Sequence, residues 1–467
     1  MNPDRVPWTT KAAYGLPAFA LAVVGIPVYV YIPKFYSDVV GIDIAVMGFI
    51  LLAVRVFDAV SDPLIGVLSD HTRTRFGRRR PYVLIGGCCV ALTMYMLFTP
   101  PGNTGENHTV WFAVWLFALF LCWTIVTVPY ESLGPELTFD YNERTSLFAV
   151  RDGLLIAGTL FAAISPAVIG AVFTTGASPD GERRKFFWLA VCYAPLIVGT
   201  CLWCTYRIRE PKALPRNAAA ASPTLKGWRS IGANRPFMIL LAAYTISAIG
   251  SNLPATLILY YVEYVLQSPR ADLFLILYFV TGILFLPAWI KYAERYGKKT
   301  AWLLSMAINT GVFLGVFFLG PGDEWIYGVL VVGSGLGFGA TLALPSAIQA
   351  DVIDYDELLT GSRREGLYIG IWSVAKKLAA AIGVGTALAF MGNAGYEPNQ
   401  DQPENVVLTL RVLYALVPCL CSIVALGVAF AYPLDAAAHQ SIRAGVARRH
   451  RGEPVTDPLR PDRPVVI

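Results

Sequence analysis

Apolar stretches of about 20 residues, the length that crosses a bilayer, recur along most of this chain and are separated by short polar breaks. Read as helices, they predict twelve spans near 13–36, 44–68, 82–99, 110–138, 146–172, 186–207, 236–264, 271–290, 300–319, 325–349, 365–391 and 406–432, each end placed to within a few residues. The fourth is longer than a bilayer requires, and Pro129 and Pro135 allow it to bend. Residues 1–11 are polar and run straight into the first span, so insertion by the chain's own helices is expected rather than a cleaved leader.

Cations then orient the helices. Arg73, Arg75 and Arg78 to Arg80 follow the second span, Arg144 the fourth, Arg207 to Arg235 the sixth, Lys291 to Lys299 the eighth, and Arg363 and Arg364 the tenth. The opposite breaks hold little beyond Lys34, Arg270 and the cluster Arg183, Arg184 and Lys185. The positive-inside rule therefore predicts a multi-pass protein of the cell (inner) membrane with both termini cytoplasmic. Residues 208–235, basic and broken by Pro211, Pro215 and Pro223, read as a cytoplasmic linker between a six-helix bundle at 1–207 and another at 236–432. The basic tail at 433–467 is expected to be cytoplasmic and poorly ordered.

Composition agrees with a membrane protein and narrows its chemistry. Charged residues are 15% of 467, against about 25% in soluble domains, and the mean hydropathy is +0.54. The net charge of +5 is the orientation signal in total and calls for no nucleic-acid partner. All eight cysteines fall in apolar segments and read as small buried hydrophobes. The four histidines lie in loops or the tail, which leaves any proton or cation relay to carboxylates, Lys or Arg. No phosphate-binding glycine loop, HExxH or GxSxG is present, so an ATP-driven pump or a hydrolase is not expected.

The two halves echo each other. Arg75-Phe-Gly-Arg-Arg79 after the second span answers Arg295-Tyr-Gly-Lys-Lys299 after the eighth, and Asp140-Tyr-Asn-Glu143 answers Asp354-Tyr-Asp-Glu357, at offsets of 220 and 214 residues. Parallel repeats of six helices about an axis along the membrane normal define the major facilitator fold. The expected class is thus all-α, with twelve transmembrane helices in two halves.

Candidate chemistry concentrates in RVFDAVSDPLIGVLSD, residues 55–70. Asp58 and Asp62 share one helical face, with Arg55 one turn earlier and Asp70 marking the cytoplasmic end. Asp58 then lies roughly 18 Å from that end, near the bilayer midplane. Two carboxylates there repel unless a proton or cation sits between them, as in a Na⁺ or H⁺ site. The alternative is an interhelical lock in which Arg55 neutralises Asp58. Lys377, in Trp372-Ser-Val-Ala-Lys-Lys377, lies about 18 Å beyond Glu365, again near the midplane. Trp123, Thr127 and Glu131 form a stripe on the fourth helix that suits a hydroxylated or amphipathic solute. Arg151 either joins that site or pairs with Glu131, and Arg144 and Asp70 are candidate gate charges.

Residues 55–81, with Ser37-Asp-Val-Val-Gly41, VPYESLGPELTFDYNERT at 128–145, Arg151 and DYDEL…WSVAKK at 354–377, resemble the glycoside–pentoside–hexuronide:cation symporter family. The resemblance covers about residues 20–380. It implies a cation (Na⁺ or H⁺):solute symporter, not an enzyme and without a resident cofactor, working by alternating access. Asp58 and Asp62 would bind the cation with Lys377 nearby, and solute would meet Trp123, Thr127, Glu131, Arg151, Trp372 and Lys377. Ala22 and Thr127 stand where the family's galactoside carriers have aspartates, and Glu131 where they have a stacking tryptophan, which argues against a galactoside. A lysolipid or other amphipathic solute, an uncoupled uniporter and a non-transporting assembly or sensor protein remain as alternatives. The expected partners are solute, cation and bilayer, with the chain acting as a monomer.

Overall fold

The structure, a computed structural model, describes residues 6–102, 108–138, 141–174, 178–208, 210, 231–232, 234–361 and 364–465. The side chains of some helical residues, Asp70 and Arg144 among them, fall outside that description, as does most of the expected 208–235 linker. Each expected span coincides with a helix. In order these are α1 Trp8–Val40, α2 Ile44–His71, α3 Arg80–Phe98, α4 His108–Leu137, α5 Tyr141–Phe173 and α6 Pro179–Arg207. Then come α7 Arg235–Val265, the broken α8 of Ala271–Leu284 and Leu286–Tyr296, α9 Lys298–Val316, α10 Glu324–Thr360, α11 Glu365–Asn393 and α12 Glu404–Phe430. Among the described residues nine are long and apolar enough to cross a membrane, and α8 makes ten if its two pieces form one span. Lys298 and Lys299 dilute the short α9.

Local chemistry sets the breaks. Gly41 ends α1 at φ +86°, a left-handed turn that glycine adopts without penalty, and the Asp43 side chain then caps α2 by accepting from the Val46 amide at 2.9 Å. Pro287 opens the second piece of α8, and the span bends by 40° there because proline interrupts the helical ladder.

Helices α1 to α6 pack on one another, as do α7 to α12, and the two sets meet chiefly where α2 runs along α11 and α5 along α8. The α2–α11 seam is built on small residues. A β-carbon added to Gly48 would stand 2.8 Å from Leu388, and one on Gly392 would stand 2.6 Å from Ala45. Glycine at both positions lets the backbones approach closely enough to bring α11's lysines to α2's carboxylates.

The tail departs from expectation, because 433–467 is folded where described. Helix α13, Ala436–His450, and the strands β1 Val455–Asp457 and β2 Arg460–Val465, an antiparallel pair, dock on the end of α10. Ile442 and Val455 are buried with Leu358 and Tyr355 of α10. His439 lies 3.1 Å from Asp354 and 3.3 Å from Asp351, His450 lies 3.3 Å from Glu357, and the Tyr355 hydroxyl donates to Asp457 at 3.0 Å. Composition alone pointed to a solvated segment; the acidic end of α10 supplies the partners that order it. Ile442→Ala should cost about 2–5 kcal/mol at the buried contact. Limited trypsin digestion of the purified protein should then cut among Arg443, Arg448, Arg449 and Arg451 faster than in the parent, and equal rates would contradict the docking.

Candidate functional site

One internal ammonium joins the two sets of helices. The Lys377 Nζ of α11 lies 2.9 Å from Asp58 Oδ2 and 2.5 Å from Asp62 Oδ2, both on α2. Asp58 is buried. The Thr124 hydroxyl of α4 stands 2.9 Å from Asp58 Oδ1 and 3.1 Å from Asp62 Oδ1, and the Asp58 backbone carbonyl lies 3.5 Å from Nζ. Two carboxylates and a carbonyl therefore converge on one point that a positive charge occupies, with the Thr124 hydroxyl on the carboxylate oxygens behind it. Hard oxygen donors of this kind suit a small cation or a proton as well as an ammonium.

Arg55 is not the principal partner of this pair. Its guanidinium is 4.0 Å from Asp58 and lies between the rings of Tyr29 and Phe120, at 4.1 and 4.9 Å from their centroids. Of the two readings of α2, Arg55 as a lock is the weaker, since Lys377 holds both carboxylates more closely. Thr124 was not singled out from the sequence; the stripe of Trp123, Thr127 and Glu131 misses it by one position, because spacing does not fix which face of a long helix turns inward.

The remaining candidates occupy different settings. Trp123 is half-buried and packs against an apolar core that draws on both sets of helices. The Thr127 hydroxyl is buried without a hydrogen-bond partner among the described residues. Arg151 pairs with its neighbour Asp152 at 2.7 Å and covers the Phe148 ring, so the alternative pairing with Glu131 is not formed. Glu131 is exposed and has no hydrogen bond or ion pair among the described residues. Trp372 stacks on Tyr244 of α7 with ring centroids 4.1 Å apart. The Asp70 and Arg144 side chains lie outside the described residues.

A second cluster closes the face opposite the tail. Asp38 of α1 pairs with Lys34, accepts from Tyr396 at 2.7 Å, and receives Asn399 on its carbonyl at 2.6 Å. Lys34 also reaches Glu263 of α7 at 2.6 Å, Ser37 meets Tyr260 at 3.0 Å, and Tyr31 donates to Asp272 of α8 at 2.7 Å. Between described residues, every hydrogen bond and ion pair linking the first six helices to the last six lies at Lys377 or in this clasp. Past Asp62, toward the tail, Leu64, Val67 and Leu68 of α2 are exposed. The clasp escaped sequence reading because its members come from four separate segments.

The model of the MFS/sugar transport protein family matches residues 13–436. An uncharacterized symporter of Synechocystis sp. is 26% identical, over 97% of this chain and 98% of its own. A glucuronide carrier protein homolog of Escherichia coli is 28% identical, over 92% and 93%. An isoprimeverose transporter of Lactiplantibacillus pentosus is 25% identical, over 90% and 87%. Among solved structures, a nucleoside transporter superposes with a TM-score of 0.63 at 13% identity, over 91% of this chain and all of that one, which speaks to fold alone. The family match spans nearly all of the helical core and the relatives align almost end to end, so this chain belongs to the MFS/sugar transport proteins, among the glycoside–pentoside–hexuronide:cation symporters of the major facilitator superfamily.

Proposed function

We propose that this protein is a secondary active transporter that moves a sugar, glycoside or related small solute together with one Na⁺ or H⁺ by alternating access. The observation that carries the reading is Lys377 seated between Asp58 and Asp62. Two carboxylates share one ammonium, with the Arg55 guanidinium a further positive charge 4.0 Å from Asp58, so the cluster is compensated in surroundings where uncompensated charge is costly. An arriving cation competes with Lys377 for the same oxygens. The lysine then turns its donors to the cavity, so that cation binding prepares the solute site. A lysolipid carrier or a non-transporting protein is not favoured, since the family and its named relatives carry sugars and glycosides. The basic segments support cytoplasmic termini, which would put the Asp38 clasp on the outer side.

Three measurements test this. Asp58→Asn and Asp62→Asn should each abolish uphill accumulation in proteoliposomes while part of the solute exchange persists, because exchange needs the cavity but no net cation movement. If instead both variants accumulate solute as well as the parent at matched protein level, the coupling role is wrong. Thr124→Val removes one hydroxyl from a charged site, a loss of about 1.5–3 kcal/mol. The cation concentration giving half-maximal uptake should rise at least tenfold, and an unchanged value would exclude Thr124 from the site. For orientation, a cysteine introduced by Ala219→Cys should react with impermeant maleimide only in broken cells; labelling of intact cells would reverse the topology.

A further inference from the structure

The repeat that relates the two halves differs from itself at one loop. Arg73-Thr-Arg-Phe-Gly77, between α2 and α3, answers Ala293-Glu-Arg-Tyr-Gly297, between α8 and α9. Glu294 offsets Arg295 in the second copy, whereas the first carries two positive charges and no negative one. The second copy is also turned to protein. Arg295 lies over the Tyr296 ring, 5.3 Å from its centroid, Tyr292 packs on that ring at 4.7 Å, and the adjoining Lys298 reaches Asp351 at 2.6 Å. In the first copy Phe76 is 75% exposed. Arg73 and Arg75 are exposed on either side of it, and among the described residues neither makes a hydrogen bond or an ion pair.

These exposed side chains stand on a fixed backbone. Gly77 closes a turn by donating to the Thr74 carbonyl at 3.2 Å, at a φ of +112° that glycine adopts readily. The Glu210 carboxylate, just past α6, accepts from the amides of Arg78, Arg79 and Arg80 at 2.6, 2.7 and 2.7 Å. The Arg80 guanidinium donates to the Phe76 carbonyl at 3.2 Å and to the Thr205 carbonyl of α6 at 2.7 Å. Phe76 is thereby held beside the end of α6, where Tyr206 is also exposed. The apolar spans on either side run up to Ser69 and from Arg80, so the loop sits where the membrane ends. Its backbone amides at Arg78 to Arg80 are filled by Glu210, and what it offers outward is an aromatic ring between two guanidinium groups.

We infer that the α2–α3 loop is a binding surface for anionic phospholipid, with Phe76 seated at the edge of the acyl chains and Arg73 and Arg75 on the headgroup phosphates. Aromatic rings settle at the boundary between hydrocarbon and headgroups, and arginine stems reach from there to the phosphate layer. Each cation near an anionic membrane surface is worth about fivefold in affinity. The occupant is a lipid of the surrounding membrane, because an exposed phenylalanine gains nothing from a free phosphate in water. The repeated loop lacks the surface: Ala293 stands where Arg73 does, Glu294 repels a phosphate, and Tyr296 is packed on protein. Anionic lipid therefore grips the first six helices and has no matching hold on the last six, whatever solute the protein carries.

The test titrates the full-length protein, held in a neutral detergent, with phosphatidylglycerol or phosphatidylcholine and counts bound lipid by native mass spectrometry. The tightest phosphatidylglycerol should bind about tenfold or more above phosphatidylcholine. Replacing both arginines, Arg73→Gln with Arg75→Gln, should lower that affinity about tenfold or more and leave phosphatidylcholine within about twofold. Arg73→Lys with Arg75→Lys keeps the charge and should retain most of the affinity. Phe76→Ser should weaken both lipids, and Arg295→Gln in the repeated loop should alter neither by more than about twofold. The substituted side chains are exposed, so each variant should unfold at the parent's temperature. Inorganic phosphate at the lipid concentration should not displace the lipid. Equal affinity for the two lipids, an unchanged phosphatidylglycerol affinity in the double Gln variant, an equal loss in Arg295→Gln, or displacement by phosphate would overturn the assignment.

Discussion

An ammonium shared by two carboxylates, joining one set of helices to the other, is the contact on which this structure turns. Each charge alone would cost at least about 2.5–3.5 kcal/mol in the middle of a bilayer. Together Lys377, Asp58 and Asp62 compensate one another to within a single charge, which Arg55 answers from 4.0 Å on Asp58, with the Thr124 hydroxyl on the oxygens that Lys377 leaves. A cluster with two unpaired carboxylates would be too costly to hold empty.

Keeping the contact requires α2 and α11 to stay close over half their length and no more. Gly48 and Gly392 secure the half toward the clasp, where any larger residue would push the helices apart. Beyond Asp62 the seam gives way to exposed Leu64, Val67 and Leu68. Tight packing on one side of the charges and its absence on the other make a lever with the ion pair near its fulcrum. The clasp around Asp38 holds the far arm shut with tyrosine hydroxyls and one lysine, groups that water can solvate readily once they part.

Much of this was legible in the sequence because it depends on periodicity and on charge in apolar surroundings. The positions of the helices, nine of which among the described residues pass as spans or ten with the broken α8, and the shared face of Asp58 and Asp62 follow from helical rise and hydropathy. What escaped depends on rotation and on distant segments meeting. Thr124 required the rotation of α4 about its axis, which an almost uniformly apolar helix does not encode. The clasp required the loop at 394–403 to fold back over α1. The tail misled for a different reason: its composition is that of a solvated segment, but a matching acidic surface waits at the end of α10.

That docked tail has a consequence for the order of biosynthesis. Helix α10 enters the membrane well before residues 436–465 are made, since domains emerge and fold from the amino terminus onward. During that interval Asp351 has Lys298 of α9, 2.6 Å away, to hold it, while the contact of His450 with Glu357 cannot yet form. Tyr355 receives its partner Asp457 only once residues 455–465 have been made and have folded back. The base of α10 is therefore completed well after its own synthesis, by residues 436–465, and a message interrupted before them would yield a protein whose helices α1 to α12 are made but whose α10 is left unsecured at its carboxyl end.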